Sequence, residues 1–270
     1  MNLTRVLQPN VCCIGNPVAG NPTQFVMYRA ARAVGVDWRF FTCQVAADQF
    51  ETAFRGVQAL GLDGVALFEP FQSQAVSLMD TVTEAALAMG KVNVARSDSG
   101  SWLGDNTLGA AIARSIETRI AKPSEIETNG STNGSTNGSI VVSDDPTIAK
   151  VVGFASPSLR TRILEWNSAE PPKPNEQKID FLVMTNFPGP TGIRNLSALE
   201  WNPGSACLIL DCYPEKQWRP LRDLLEANRV EWVEPVELMA NQAAADFSFW
   251  TGVTPSVNLL RESLEEYLQW

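Results

Sequence analysis

Four apolar residues in a row, Val11-Cys12-Cys13-Ile14, are closed by Gly15-Asn16-Pro17, the pattern of a short strand buried on both faces. Apolar positions then recur at helical spacing from Thr23 to Ala33, and Gly35 ends the run. Trp38 to Val45, rich in aromatics, reads as a strand. Asp48 to Leu60 reads as a helix with an acidic residue at its positive end. Gly64 to Phe68 is strand again, a helix starts at about Gln72, and Val92 to Arg96 is a further strand. Strands alternating with helices predict an α/β domain with a mostly parallel sheet covered on both faces.

Past Glu127 the pattern stops. Thr-Asn-Gly-Ser repeats up to Ser139, offers nothing to bury and favours turns, which predicts a mobile surface loop. A shorter block follows. Ile140 to Val142 and Ala149 to Phe154 are candidate strands, Leu159 to Trp166 is helical, and a Pro-rich connector (Pro171, Pro172, Pro174) leads to a buried strand at Phe181 to Thr185. Ala206 to Leu210 is another strand and Trp218 to Asn228 an amphipathic helix. Val236 to Phe249 and Ser256 to Leu268 are helical, separated by Thr254-Pro255.

Composition narrows the chemistry. The 270 residues are 44% hydrophobic, ordinary for a globular chain with a core, and the net charge of -9 repels a nucleic-acid backbone. No run has the apolar length to span a bilayer, and Met-Asn-Leu-Thr-Arg has no signal-peptide pattern, so a cytoplasmic location is expected. The five cysteines (Cys12, Cys13, Cys43, Cys207, Cys212) have no metal-ligand spacing and mostly sit in apolar runs, as small buried hydrophobes do. Histidine is absent, which removes Ser-His-Asp and Cys-His mechanisms and the commonest metal ligand. Proton transfer is left to Asp, Glu, Lys, Tyr or the ligand.

Ile14-Gly15-Asn16-Pro17-Val18-Ala19 near the start, and Asn-Gln-Ala-Ala-Ala-Asp-Phe-Ser-Phe-Trp-Thr-Gly from Asn241 to Gly252, resemble the two ends of a shikimate dehydrogenase. The resemblance implies an N-terminal substrate-binding α/β domain at residues 1–121, to which C-terminal helices at 239–270 return. It also implies a reduced Rossmann-like α/β domain at 140–238, beyond the polar loop 122–139. By the same resemblance, Asn21 and Thr23 stand where the family holds the substrate carboxylate with Ser-x-Ser, and Phe68 replaces a threonine of the pocket. Asn93 matches the family's Val-Asn-Thr asparagine, Gln242 its substrate-binding glutamine, and Tyr213 in Asp211-Cys212-Tyr213-Pro214 its pocket tyrosine. Read without the family, Asn93 is a turn amide and Gln242 a helix-start amide.

The departures fall on the chemistry. The family's Pro-His-Lys reads Pro70-Phe71-Gln72, and its Asn-Thr-Asp reads Asn106-Thr107-Leu108. Gln72 neither gains nor loses a proton near neutral pH, and Leu108 does not even hydrogen bond. No catalytic residue remains at those two substrate-facing positions. A Rossmann loop needs glycines so that backbone amides approach a pyrophosphate. If Ile140 to Val142 is the first strand, the loop is Ser143-Asp144-Asp145-Pro146-Thr147, whose aspartates read as helix caps. If Lys150 to Phe154 is the first strand, the loop is Gly153-Phe154-Ala155-Ser156-Pro157-Ser158. Arg160 and Arg162 are the cations available to an NADP 2'-phosphate. The expectation is a shikimate-dehydrogenase-like protein that has lost the parent reaction, holds no cofactor or metal, and keeps a cleft for a small polar or carboxylated ligand. Two alternatives stand beside it. One is an NADP-dependent oxidoreductase with a different proton relay, for which Glu69 is the ionisable neighbour, although strand alternation turns it away from Phe68. The other is a protein-interaction subunit using Trp166, Trp201, Trp218 and Trp232.

Overall fold

The structure is a computed structural model that describes residues 8–120, 138–170, 178–210 and 215–269. Most of the Thr-Asn-Gly-Ser repeat and Tyr213 lie outside the described residues. Two compact units form, one from the chain up to Ala111 together with Met239 onward, the other from Ile112 to Leu238.

The first unit runs β1 (Asn10–Gly15), α1 (Thr23–Val34), β2 (Arg39–Gln44), α2 (Phe50–Ala59), β3 (Gly64–Leu67), α3 (Gln72–Ala75), β4 (Thr81–Val82) and α4 (Glu84–Met89). It continues through β5 (Val94–Asp98) and β6 (Ser101–Asp105) into α5 (Leu108–Ile120). Its sheet order is β2-β1-β3-β5-β6-β4. β1 pairs in parallel with β2 and β3, whereas β5 runs antiparallel to both β3 and β6, so the sheet is mixed. β1 and β3 are buried almost throughout, as their uninterrupted apolar runs require. On one face, Phe50 stacks on Phe71 at 4.6 Å between ring centroids and Phe54 meets the edge of Trp102 at 5.2 Å. Phe71 is fully buried in that core. At this position the chain has an aromatic that the packing uses.

The second unit contains β7 (Ser139–Ser143), α6 (Pro146–Ala155), β8 (Ile163–Trp166), β9 (Ile179–Met184), α7 (Gly189–Leu196), β10 (Trp201–Ile209), α8 (Glu215–Ala227) and β11 (Glu231–Val233). Its five strands pair in parallel in the order β11-β10-β9-β7-β8. Chain order reverses between β7 and β9, the switch point where doubly wound sheets open a crevice at their strand ends. Trp218 is buried in this unit's core, and Trp166, Trp201 and Trp232 pack against the same cluster, so packing accounts for the tryptophans.

Two sequence expectations fail here. Ala149 to Phe154 is not a strand but part of α6: Ile148, Ala149, Val151 and Val152 are buried at helical spacing behind an Asp145 cap and Pro146 in the first turn. Leu159 to Trp166 is not a helix but a 3-10 turn at Arg160–Arg162 followed by β8, drawn into the sheet by four register pairs with β7. A four-residue apolar run does not distinguish strand from helix, and the available sheet edge decides. Only the loop alignment starting from β7 therefore survives. Because the Asp145 carboxylate accepts from the Thr147 amide at 2.8 Å, Asp145→Ala should cost about 1 kcal/mol, read as a lower urea midpoint.

The chain closes with α9 (Pro235–Thr251) and α10 (Val257–Leu268). From Met239 onward these helices pack on the first unit's sheet. The Trp250 indole Nε1 donates to the Ala95 carbonyl at 3.0 Å, Arg96 Nη1 donates to the Phe249 carbonyl at 2.9 Å, and Phe40 lies against Phe247 and Trp250. Gly64 has no side chain because Trp250 occupies the space: an added Cβ would meet the indole Cδ1 at 2.7 Å. No helix among the described residues is long and apolar enough to cross a membrane.

Candidate functional site

A cavity of about 250 Å³ opens in the first unit, beside the carboxyl end of β3 and the start of α1. Of the eight positions singled out in the sequence, six line it: Asn21, Thr23, Phe68, Gln72, Asn93 and Gln242. Leu108 begins α5 and is not among the lining residues. Apolar walls come from Val26, Met27, Leu67, Met239 and Leu264.

Local hydrogen bonding fixes how each polar group is presented. Asn21 Oδ1 accepts from the Thr23 amide at 2.8 Å, turning the chain into α1. Gln72 Nε2 donates to the Leu67 carbonyl at 2.9 Å, so half of its amide is tied to β3 while Oε1 has no partner among the described residues. Gln242 lies well inside α9 rather than at a helix start, and its amide likewise has no hydrogen-bond partner among the described residues. Asn93 is almost entirely buried: its Nδ2 donates to Thr107 Oγ1 at 2.8 Å and its Oδ1 accepts from the Thr107 amide at 3.0 Å.

One lining residue escaped the sequence reading. Asp246 Oδ1 accepts from the Thr107 hydroxyl at 2.5 Å and from Asn93 Nδ2 at 3.3 Å. Burial pushes its carboxyl up to about 7, against the lowering effect of the Thr107 and Asn93 hydrogen bonds, with a further push from Asp105. The signal was spacing. Met239, Gln242, Ala243 and Asp246 fall at i, i+3, i+4 and i+7, one helical face, and all four line the cavity.

Glu69, by contrast, faces out and pairs with Lys91 at 2.7 Å, the glutamate exposed and the lysine partly so. It does not line the cavity. Among the described residues no cluster of metal-ligating side chains exists, and Cys12, Cys13 and Cys207 are buried thiols whose ionisation burial opposes.

In the second unit, the loop after β7 is occupied by its own side chains. Asp144 adopts φ +65°, a left-handed conformation that favours glycine, and its Oδ1 accepts from the Ser168 amide at 2.8 Å. Asp145 takes the Thr147 amide, and Pro146 has no amide to give. At this helix start one amide is therefore absent and the Thr147 amide is capped from within, and two carboxylates stand beside them. Arg160 donates to the Gly153 carbonyl, and Arg162 to the Gly138 carbonyl and the Asp180 carboxylate, so both are engaged with protein. The turn from Ser143 to Thr147 also carries none of the glycines of a Rossmann phosphate loop.

Residues 13–95 match the family described as shikimate dehydrogenase substrate binding domain. The NADP(+) shikimate dehydrogenase of Bacillus licheniformis is 24% identical over 280 residues, covering 97% of this chain and 98% of that enzyme. The Bacillus subtilis enzyme of the same name is 23% identical over 92% of this chain and 93% of that enzyme. The fold is shared with Thermus thermophilus shikimate 5-dehydrogenase, solved with NADP(H) and shikimate (TM-score 0.68, 17% identity, covering 96% of this chain and all of that one). It is equally shared with the ligand-free 5-ketofructose reductase of a Gluconobacter strain (TM-score 0.68, 16% identity, 97% and 99% coverage).

Proposed function

We propose that this chain, whose residues 13–95 match the shikimate dehydrogenase substrate binding domain, binds a small, hydroxylated organic molecule without running the NADP-linked dehydrogenation of the enzymes it resembles. The observation that carries this reading is the cavity itself. It gathers the amides of Asn21, Gln72, Asn93 and Gln242 and the Thr23 hydroxyl over an apolar floor, with no lysine or arginine among its lining residues. Amides and hydroxyls match a polyol in hydrogen-bonding capacity, and the apolar wall suits the carbon face of a ring. Losing hydride from a secondary alcohol requires its proton to leave as well. Gln72 cannot take that proton and Leu108 does not reach the cavity. The Asp144-Asp145-Pro146 turn supports the same reading, since it offers no cradle for the hydride acceptor.

The runner-up is an oxidoreductase with an altered substrate, favoured by the names of the relatives. Its relay through Glu69 has the geometry against it, because that side chain pairs with Lys91 instead. Thermal-shift titration with myo-inositol, quinate, dehydroshikimate, NADP and NAD separates the two readings. Ring polyols should raise the melting temperature, Gln242→Ala should abolish that shift, and neither nucleotide should act. A nucleotide shift with rapid NADP-dependent turnover of any of these rings would establish the runner-up instead.

A further inference from the structure

Asp246 is the one ionisable side chain among the residues lining the cavity, and no cation accompanies it there. Asp246 is partly buried, and a carboxylate withdrawn from water is ordinarily paired because desolvation makes an isolated charge costly. Here the Oδ1 atom is held by two neutral donors, Thr107 and Asn93, while Oδ2 has no hydrogen-bond partner among the described residues. The arrangement orients one oxygen and leaves the other to whatever enters.

Resting on the proposal that this cavity is the ligand site, we propose further that Asp246 selects the charge of the ligand. The molecule it takes is a hydroxylated ring bearing a protonated amine, and carboxylates are disfavoured. An ammonium supplies the missing counter-charge through a charge-assisted hydrogen bond to Oδ2. A ligand carboxylate would instead meet a like charge with nothing in the cavity wall to relieve it, and one of the two would have to take up a proton. A neutral hydroxyl pairs with either protonation state and has no preference.

The proton equilibrium gives this a signature. With Asp246 titrating at about 7, the group is mostly neutral at pH 6 and mostly ionised at pH 8. The titratable groups that face it are Asp105 of β6, whose charge raises it further, and Cys13 of β1, whose own thiol is pushed to about 12 and stays neutral in this range. Asn93 and Thr107 do not titrate. An amine ligand binds the ionised form, so its affinity rises with pH. A carboxylate ligand binds the neutral form, so its affinity falls.

Isothermal titration of the full chain with three probes tests this: an inosamine (a cyclitol with one hydroxyl replaced by an ammonium), myo-inositol, and shikimate, each at pH 6 and pH 8. The inosamine should bind at least about tenfold tighter than the other two at pH 8. Its advantage over inositol should shrink about tenfold at pH 6, the ratio of ionised fractions for a group titrating near 7, and its advantage over shikimate about a hundredfold, because shikimate gains as the neutral fraction rises. Asp246→Asn, nearly isosteric, should erase the inosamine's advantage over inositol. If the variant does not fold, the pH ratio of the wild type decides alone. Shikimate binding tightest at pH 8, or an inosamine preference unaffected by pH or by Asp246→Asn, overturns the charge selection and leaves the polyol site standing. Silence from all three probes overturns the site and this inference together.

Discussion

Given shikimate and NADP, the purified protein should form NADPH at least about 10⁴-fold more slowly than the Bacillus licheniformis enzyme assayed beside it. Acid–base assistance alone is typically worth about 10²–10⁴ in rate, and a positioned stabiliser of developing negative charge about 10²–10³. The two act on the same proton and oxygen and are not simply multiplied. Gln72 supplies neither, since its amide nitrogen is bound to the Leu67 carbonyl. The double variant Gln72→Lys with Leu108→Asp should stay near background too. Residue 108 is not on the cavity wall, and the turn at Asp144-Asp145-Pro146 still has no glycine, no amide at Pro146 and a Thr147 amide capped by Asp145. NADPH absorbance at saturating substrate measures both. Wild-type turnover approaching that of the Bacillus enzyme would show that the reaction runs through groups other than these.

The largest effect on stability should come from Trp250. Trp250→Ala removes an indole that is almost fully buried and hydrogen-bonded to Ala95, and should cost about 3–5 kcal/mol. Gly64→Ala attacks the same contact from the other side, placing a methyl 2.7 Å from the indole, and should cost about 1–3 kcal/mol. In the double variant the methyl enters the space the indole has vacated. The combined loss should therefore be smaller than the sum, by a margin readable in urea unfolding followed on the first unit. Strict additivity would mean that the two residues do not share the contact.

Much of the first unit was legible because its strands are continuous apolar runs and its helices carry one buried stripe. β1, α1 and β3 fall within a residue or two of where the pattern puts them. The second unit was harder. Ala149 to Phe154 is apolar enough to pass for a strand, and only the Asp145-Pro146 start marks it as a helix; β8 is too short to carry a period of its own. The cavity's amides were found through a family string rather than through chemistry. Within that string the resemblance assigns a role to Gln242 and none to Asp246, which only its i+4 relation to Gln242 places on the same helical face.

The Trp250–Ala95 hydrogen bond joins residues 155 positions apart, and the second unit is spliced into the interval. During synthesis the strands of the first sheet emerge early, yet the helix that covers Gly64 arrives only after the whole inserted unit has been translated. Until then β3 and β5 expose an apolar face. Ribosome-bound chains would thus hold a finished inner unit and an unfinished outer one, so the order of folding is the reverse of the order in which the two units begin.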